Sequence, residues 1–156
     1  MRFTRAAARL APALLVLAAV SAVNAKDIAS KNRASPGAEV VIRDDSGGYV
    51  AGYAMRAAQL KRSETHVRFA GRCDSACTLY LGLPKSSLCL ERGAYFRFHR
   101  PSANSAATVS EATRFMMQNY PSWVRQWIAD SGGLTTSLKT MDFSYASRYL
   151  PLCTDI

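Results

Sequence analysis

A single serine set between two cysteines most constrains how this chain can fold. In Gly71-Arg72-Cys73-Asp74-Ser75-Ala76-Cys77-Thr78-Leu79-Tyr80-Leu81, a strand-like run over residues 65–70 ends in a glycine. A short apolar helical pattern then begins at the serine. A serine on a sharp strand-to-helix turn has its hydroxyl lifted clear of the sheet, beside the free amides of a helix start. That is the arrangement of a nucleophile next to an oxyanion hole. An isolated G-x-x-x-S is more simply a helix cap or a buried turn. Here two further features flank it. Gly47-Gly48 lies upstream between a strand pattern and a helix pattern, and His99 closes a strand in Phe98-His99-Arg100-Pro101.

The first 25 residues read as an export signal. Arg2, Arg5 and Arg9 form a basic start, residues 10–23 are apolar apart from Pro12 and Ser21, and Val23-Asn24-Ala25 supplies small residues at −3 and −1. The apolar run is too short and too alanine-rich for a span of ~20 residues, although an uncleaved anchor is the alternative. Residues 26–36 are polar and small, an expected flexible arm, and residues 37–156 are expected to be one domain. Cleavage leaves 131 residues, enough for one modest core. It also lowers the formal charge from +9 to +6, by the three arginines of the signal. The remaining basic residues are scattered, which argues against a nucleic-acid surface. Four cysteines in an exported small domain favour disulfides over metal binding, and no His or Cys pair follows Cys73 and Cys77 at zinc-finger distance.

Val40-Val41-Ile42 reads as a buried strand, broken by Asp44-Asp45-Ser46-Gly47-Gly48. From Tyr49 the residues Val50, Tyr53, Ala54, Ala57 and Leu60 share one helical face. A second strand over 65–70, the serine turn with a helix to about Leu83, and a third strand over 94–99 follow. Parity puts His99 and Arg97 on the face opposite Phe96 and Phe98, where Arg97 is expected to disfavour an imidazolium. Thr108 and Glu111 match a capping box opening a helix to about Asn119, which Pro121 interrupts. Trp123, Val124, Trp127 and Ile128 form a stripe expected in the core or a subunit interface. Residues 134–152 read as short helices at best. The fold class is α/β, with alternating strands and helices in layers.

Gly47-Gly48 before a helix, a serine on a strand–helix turn and a His-x-Pro strand end together resemble the proteolytic subunit of Clp-type serine peptidases, within the crotonase-like superfamily. The Cys-x-Ser-Ala-Cys-Thr stretch is most similar to small, uncharacterised periplasmic relatives of that family. The resemblance covers roughly residues 40–99. It implies a reduced crotonase-like, Clp-peptidase-like sheet in a single domain. Ser75 would be the nucleophile, His99, 24 residues on, its general base, and the amides of Gly48 and Ala76 the oxyanion hole. The family's acid follows the histidine by several tens of residues, and Asp142 in Met141-Asp142-Phe143-Ser144 matches best. Asp142 reads equally well as a helix cap, and Asp130 is the other candidate.

The resemblance departs at three places. Asp45-Ser46 replaces the family's Ser-Pro before the glycine pair, and the portion preceding that pair is far shorter. The surface that docks an ATPase ring is therefore expected to be missing, and any activity of an exported protein to be independent of ATP. Asp74 stands where the family has a small neutral residue; as an N-cap it could accept from the Ala76 amide and oppose an oxyanion. The leading expectation is a periplasmic or secreted serine hydrolase acting on peptide or acyl substrates, with no cofactor and no metal. The alternative is a catalytically silent envelope protein that keeps the fold for binding or assembly. A homo-oligomer is left open. Because Cys73 and Cys77 flank the serine turn, disulfides are expected to pin it to Cys89 and Cys153, out of three connectivities.

Overall fold

A computed structural model describes residues 37–153. The expected signal and arm, residues 1–36, lie outside the described residues. Strand β1 (Glu39–Asp45) leads into helix α1 (Val50–Arg62) and back into β2 (His66–Asp74). A 3-10 helix, Ser75–Gly82, follows without a break, then the short strands β3 (Leu88–Leu90) and β4 (Tyr95–Phe98). Helices α2 (Ala106–Asn119) and α3 (Ser122–Asp130), strand β5 (Lys139–Met141) and the short helix α4 (Phe143–Ala146) complete the domain. Among the described residues no helix is long and apolar enough to cross a membrane.

The sheet order is β1-β2-β4-β5, with β3 paired to β2 beside β4. β1, β3 and β4 run parallel to β2, and β5 runs antiparallel to β4. β2 is the axis of the molecule. Its first half pairs with β3, Val67 opposite Leu88, and its last three residues pair with β4, Asp74 opposite Arg97. β1 is an edge strand, so Val41 is exposed, and the run expected to be buried is buried only at Ile42. Neither β3 nor β5 was expected from the sequence. Each is three residues long and owes its extended form to the neighbour it pairs with.

Alternation along β2 and β4 divides the two faces. Val67, Phe69 and Cys73 with Phe96 and Phe98 are buried and meet Leu60, Leu79, Met116, Val124 and Ile128 in one core. Trp127 packs on Phe98 and Trp123 stacks on Tyr149, so the aromatic stripe of α3 closes the core over the C-terminal segment. The opposite face carries charge. Arg68 pairs with Glu39 at 3.0 Å and Glu91 at 3.2 Å, while Arg72 pairs with Asp44. α2 starts earlier than the Thr108 capping box suggests. Ser105 is the cap, and its hydroxyl accepts from the Thr108 amide at 3.1 Å.

Two disulfides join Cys73 to Cys77 and Cys89 to Cys153. This corrects the expected pairing, in which the serine turn was tied to Cys89 and Cys153. Cys89 faces Arg68 on β2, five residues before Cys73, a distance of roughly 16 Å along a strand. No disulfide spans that, since the Cα atoms must come within about 7 Å. The turn is instead closed on itself, with Cα atoms 5.4 Å apart. The second bridge fastens the chain end to β3, alongside the Leu90–Leu152 bridge pair.

Candidate active site

Ser75 sits where β2 passes directly into the 3-10 helix, with φ at +52°. A non-glycine residue in that region costs of order 1–3 kcal/mol and persists only where its surroundings hold it. Three contacts hold it here. Cys73 and Cys77 are joined across it, and its carbonyl accepts from the Thr78 hydroxyl at 2.5 Å. On the solvent side the glycine loop leans against it. A Cβ on Gly47 would lie 2.5 Å from the Asp74 carbonyl, 2.8 Å from Ser75 Cβ and 2.9 Å from the Ala76 nitrogen. Gly47 also has φ at +76°, so only glycine fits both the turn and the approach.

The loop is itself anchored. Asp45 Oδ1 accepts from the Gly47 amide at 2.8 Å and from the Tyr53 hydroxyl at 2.6 Å. Burial, and then the bond to Asp45, hold the Tyr53 phenol above its ordinary range, so it stays a donor. Tyr53 in turn packs on Tyr80 of the 3-10 helix, ring centroids 5.6 Å apart. Asp45 and Tyr53 were not among the residues expected at the site. The signal was present in an aspartate two residues before a glycine, the pattern of an Asx turn.

His99 follows β4 directly, half-buried, one residue beyond the position facing Ser75 in the β2–β4 register. Nucleophile and base candidates therefore stand at adjacent strand ends, although among the described residues no hydrogen bond joins their side chains. The next amide, Arg100, donates to the Thr135 carbonyl at 2.6 Å and ties this end of β4 to the segment before β5.

Asp142 is brought to a different place. Met141 faces Phe96 and Lys139 faces Phe98, so Asp142 falls opposite Tyr95, four residues from His99 and about 13 Å away along the strand. Its carboxylate caps α4, accepting from the Tyr145 amide at 2.9 Å and the Ser144 hydroxyl at 2.8 Å. These bonds, the amide first, hold its pKa below the usual carboxylate value. Of the two expected roles, cap and catalytic acid, the structure displays the cap. Asp130, the other candidate, is exposed and accepts from Gln126 at 2.8 Å.

Asp74 also departs from expectation. It occupies the N-cap position of the 3-10 helix, yet its side chain makes no capping bond. Both carboxylate oxygens turn across the sheet to Arg97, at 2.8 Å from Nε and 2.5 Å from Nη2, with Arg72 3.6 Å away. Arg97 therefore spends its charge on Asp74 and stacks over Tyr95; it is not directed at His99.

The fold is that of Clp-type peptidases. The chain resembles a ClpP1 mutant from Listeria monocytogenes with a TM-score of 0.52 at 15% identity, over 80% of this chain and 78% of that one. It also resembles a peptidase from Plasmodium falciparum with a TM-score of 0.50 at 8% identity, over 74% and 75% of the two chains. No family profile and no curated protein matches the sequence.

Proposed function

We propose that the chain is an exported, ATP-independent serine hydrolase acting on peptide or other acyl bonds. The observation carrying this reading is the backbone at Ser75: a positive-φ serine between strand and helix, with Gly47 packed against the Asp74–Ala76 segment. A Clp-peptidase-like fold and a histidine at the neighbouring strand end support it. Two disulfides fit an oxidising compartment, in line with the export signal.

In this reading the Ser75 hydroxyl adds to the substrate carbonyl carbon while His99 accepts its proton. The oxyanion takes hydrogen bonds from Gly48 and from Ala76, whose amide has no intrahelical acceptor at a helix start. His99 then protonates the leaving group, and water, deprotonated by His99, releases the acyl product. The bond between serine and histidine closes in the substrate complex, as such bonds commonly do. With Asp142 engaged at α4, His99 works without an orienting carboxylate, which places turnover about 10⁴-fold below a complete triad.

A second reading, a silent protein that keeps the fold for binding or assembly, draws on the same placement of Asp142. A fluorophosphonate probe separates the two. Covalent labelling of Ser75, lost in Ser75→Ala and His99→Ala, supports the hydrolase. An unlabelled but folded and oxidised protein supports the scaffold.

A further inference from the structure

An aspartate at an N-cap normally accepts from the amide two or three residues on, and at this turn the first of those amides belongs to Ala76. Asp74 forgoes that bond although it is almost fully buried and directly precedes the serine. Its carboxylate is held by both nitrogens of the Arg97 fork instead, a bidentate geometry that fixes direction as well as distance. Arg97 faces Asp74 in the β2–β4 ladder, so the pair spans the last registered position before Ser75 on one strand and His99 on the other.

We infer that Arg97 is a positioning residue, which draws the Asp74 carboxylate away from the Ala76 amide and so leaves that amide free for an oxyanion. The inference rests on the hydrolase reading for its catalytic meaning but not for its geometry. Without Arg97 the buried carboxylate must find other donors. Arg72 is 3.6 Å away but already shares its charge with Asp44, and Tyr95 offers only its ring to the Arg97 side chain. The Ala76 amide is the donor that an N-cap carboxylate at this position ordinarily takes. A carboxylate bonded there fills the oxyanion site with the wrong charge.

The test compares wild type, Arg97→Gln, Arg97→Lys and the double variant Asp74→Ala/Arg97→Gln, all oxidised and folded by circular dichroism. Two signals are read: the fluorophosphonate labelling rate and the position of the Ala76 amide proton in ¹⁵N–¹H spectra. Arg97→Gln is expected to label at least tenfold more slowly, with the Ala76 amide proton displaced downfield of wild type by its bond to the Asp74 carboxylate. Arg97→Lys is expected to lie between it and wild type. The double variant is expected to regain labelling to within about threefold and to return the Ala76 amide proton to its wild-type position. A purely structural salt bridge predicts the reverse, with the double variant labelling no faster than Arg97→Gln. An Ala76 amide proton that does not move in Arg97→Gln overturns the inference, whether or not the wild type labels. An unlabelled wild type with a displaced Ala76 amide proton in Arg97→Gln overturns the hydrolase reading alone.

Discussion

Tyr120 and Thr78, 42 positions apart in sequence, share a buried hydrogen bond of 2.6 Å whose direction follows from Thr78's other contact. Thr78 Oγ1 donates its one proton to the Ser75 carbonyl, so the Tyr120 hydroxyl must be the donor between them. Burial pushes the Tyr120 phenol up, which keeps that proton in place. A residue at the end of α2 thus steadies the carbonyl of the positive-φ serine through one intermediary.

Removing members of this line should have unequal effects. Tyr120→Phe deletes only the outer bond and is expected to cost about 1 kcal/mol. Thr78→Val strands a buried phenol and frees the Ser75 carbonyl, and is expected to cost roughly 2–3 kcal/mol. Urea unfolding measures both. Probe labelling should fall in Thr78→Val and persist in Tyr120→Phe.

The two disulfides should separate stability from site geometry. Cys89–Cys153 closes 64 positions and Cys73–Cys77 only four, so the chain-entropy estimate is about 4 kcal/mol for the first and about 2 for the second. Replacing Cys89 and Cys153 by alanine is therefore expected to lower Tm more than replacing Cys73 and Cys77. The order reverses for labelling, because only the shorter bridge encloses Ser75. Equal loss of labelling in the two double variants would contradict this.

Gly47→Ala should disable the site by backbone crowding alone. The added carbon meets the Asp74 carbonyl at 2.5 Å in a conformation that L residues rarely adopt. The turn or the loop must move, at a cost of about 1–3 kcal/mol. Labelling is expected to drop at least tenfold with the far-ultraviolet spectrum unchanged.

Asp142 gives a pH signature. Its folded pKa lies below the ordinary 3.8, so its contribution is fully present above that value and is lost as pH falls through the depressed one. Asp142→Ala should cost ~1 kcal/mol at pH 7, and the gap to wild type should shrink below about pH 4. Asp142→Asn preserves a capping oxygen and should be nearly neutral. Neither change is expected to alter labelling by more than about twofold; a severe loss would restore Asp142 as the acid.

β1, α1, β2, the serine turn and β4 were legible because each has a run long enough to show its own period. β3 and β5 were not, since three residues carry no periodicity and become strands through the partner beside them. The site divided the same way. Ser75, Gly47-Gly48 and His99 are marked by local turn chemistry, whereas the roles of Asp74 and Asp142 depend on register. Which residue lies opposite Asp74, and how far Asp142 falls from His99, are set by strand pairing between segments tens of residues apart. The cysteine pairing failed for the same reason.

β1 does not keep a single phase. Ile42 is in the core, and Asp45, three residues later, lies opposite core-facing Cys73 and reaches Tyr53, an interval that a regular strand assigns to opposite faces. The register slips between Ile42 and Asp44, where Ala70 and Gly71 together oppose Arg43 and where any side chain on Gly71 would collide with the Arg43 carbonyl. A half-period slip inverts everything downstream of it. Asp44 is thereby delivered to Arg72 on the charged face and Asp45 to the glycine loop on the other. Alternation alone would part these adjacent aspartates; the defect in the ladder decides which of them meets the glycine loop, and a β1 without it would turn Asp45 away from Gly47 and Tyr53.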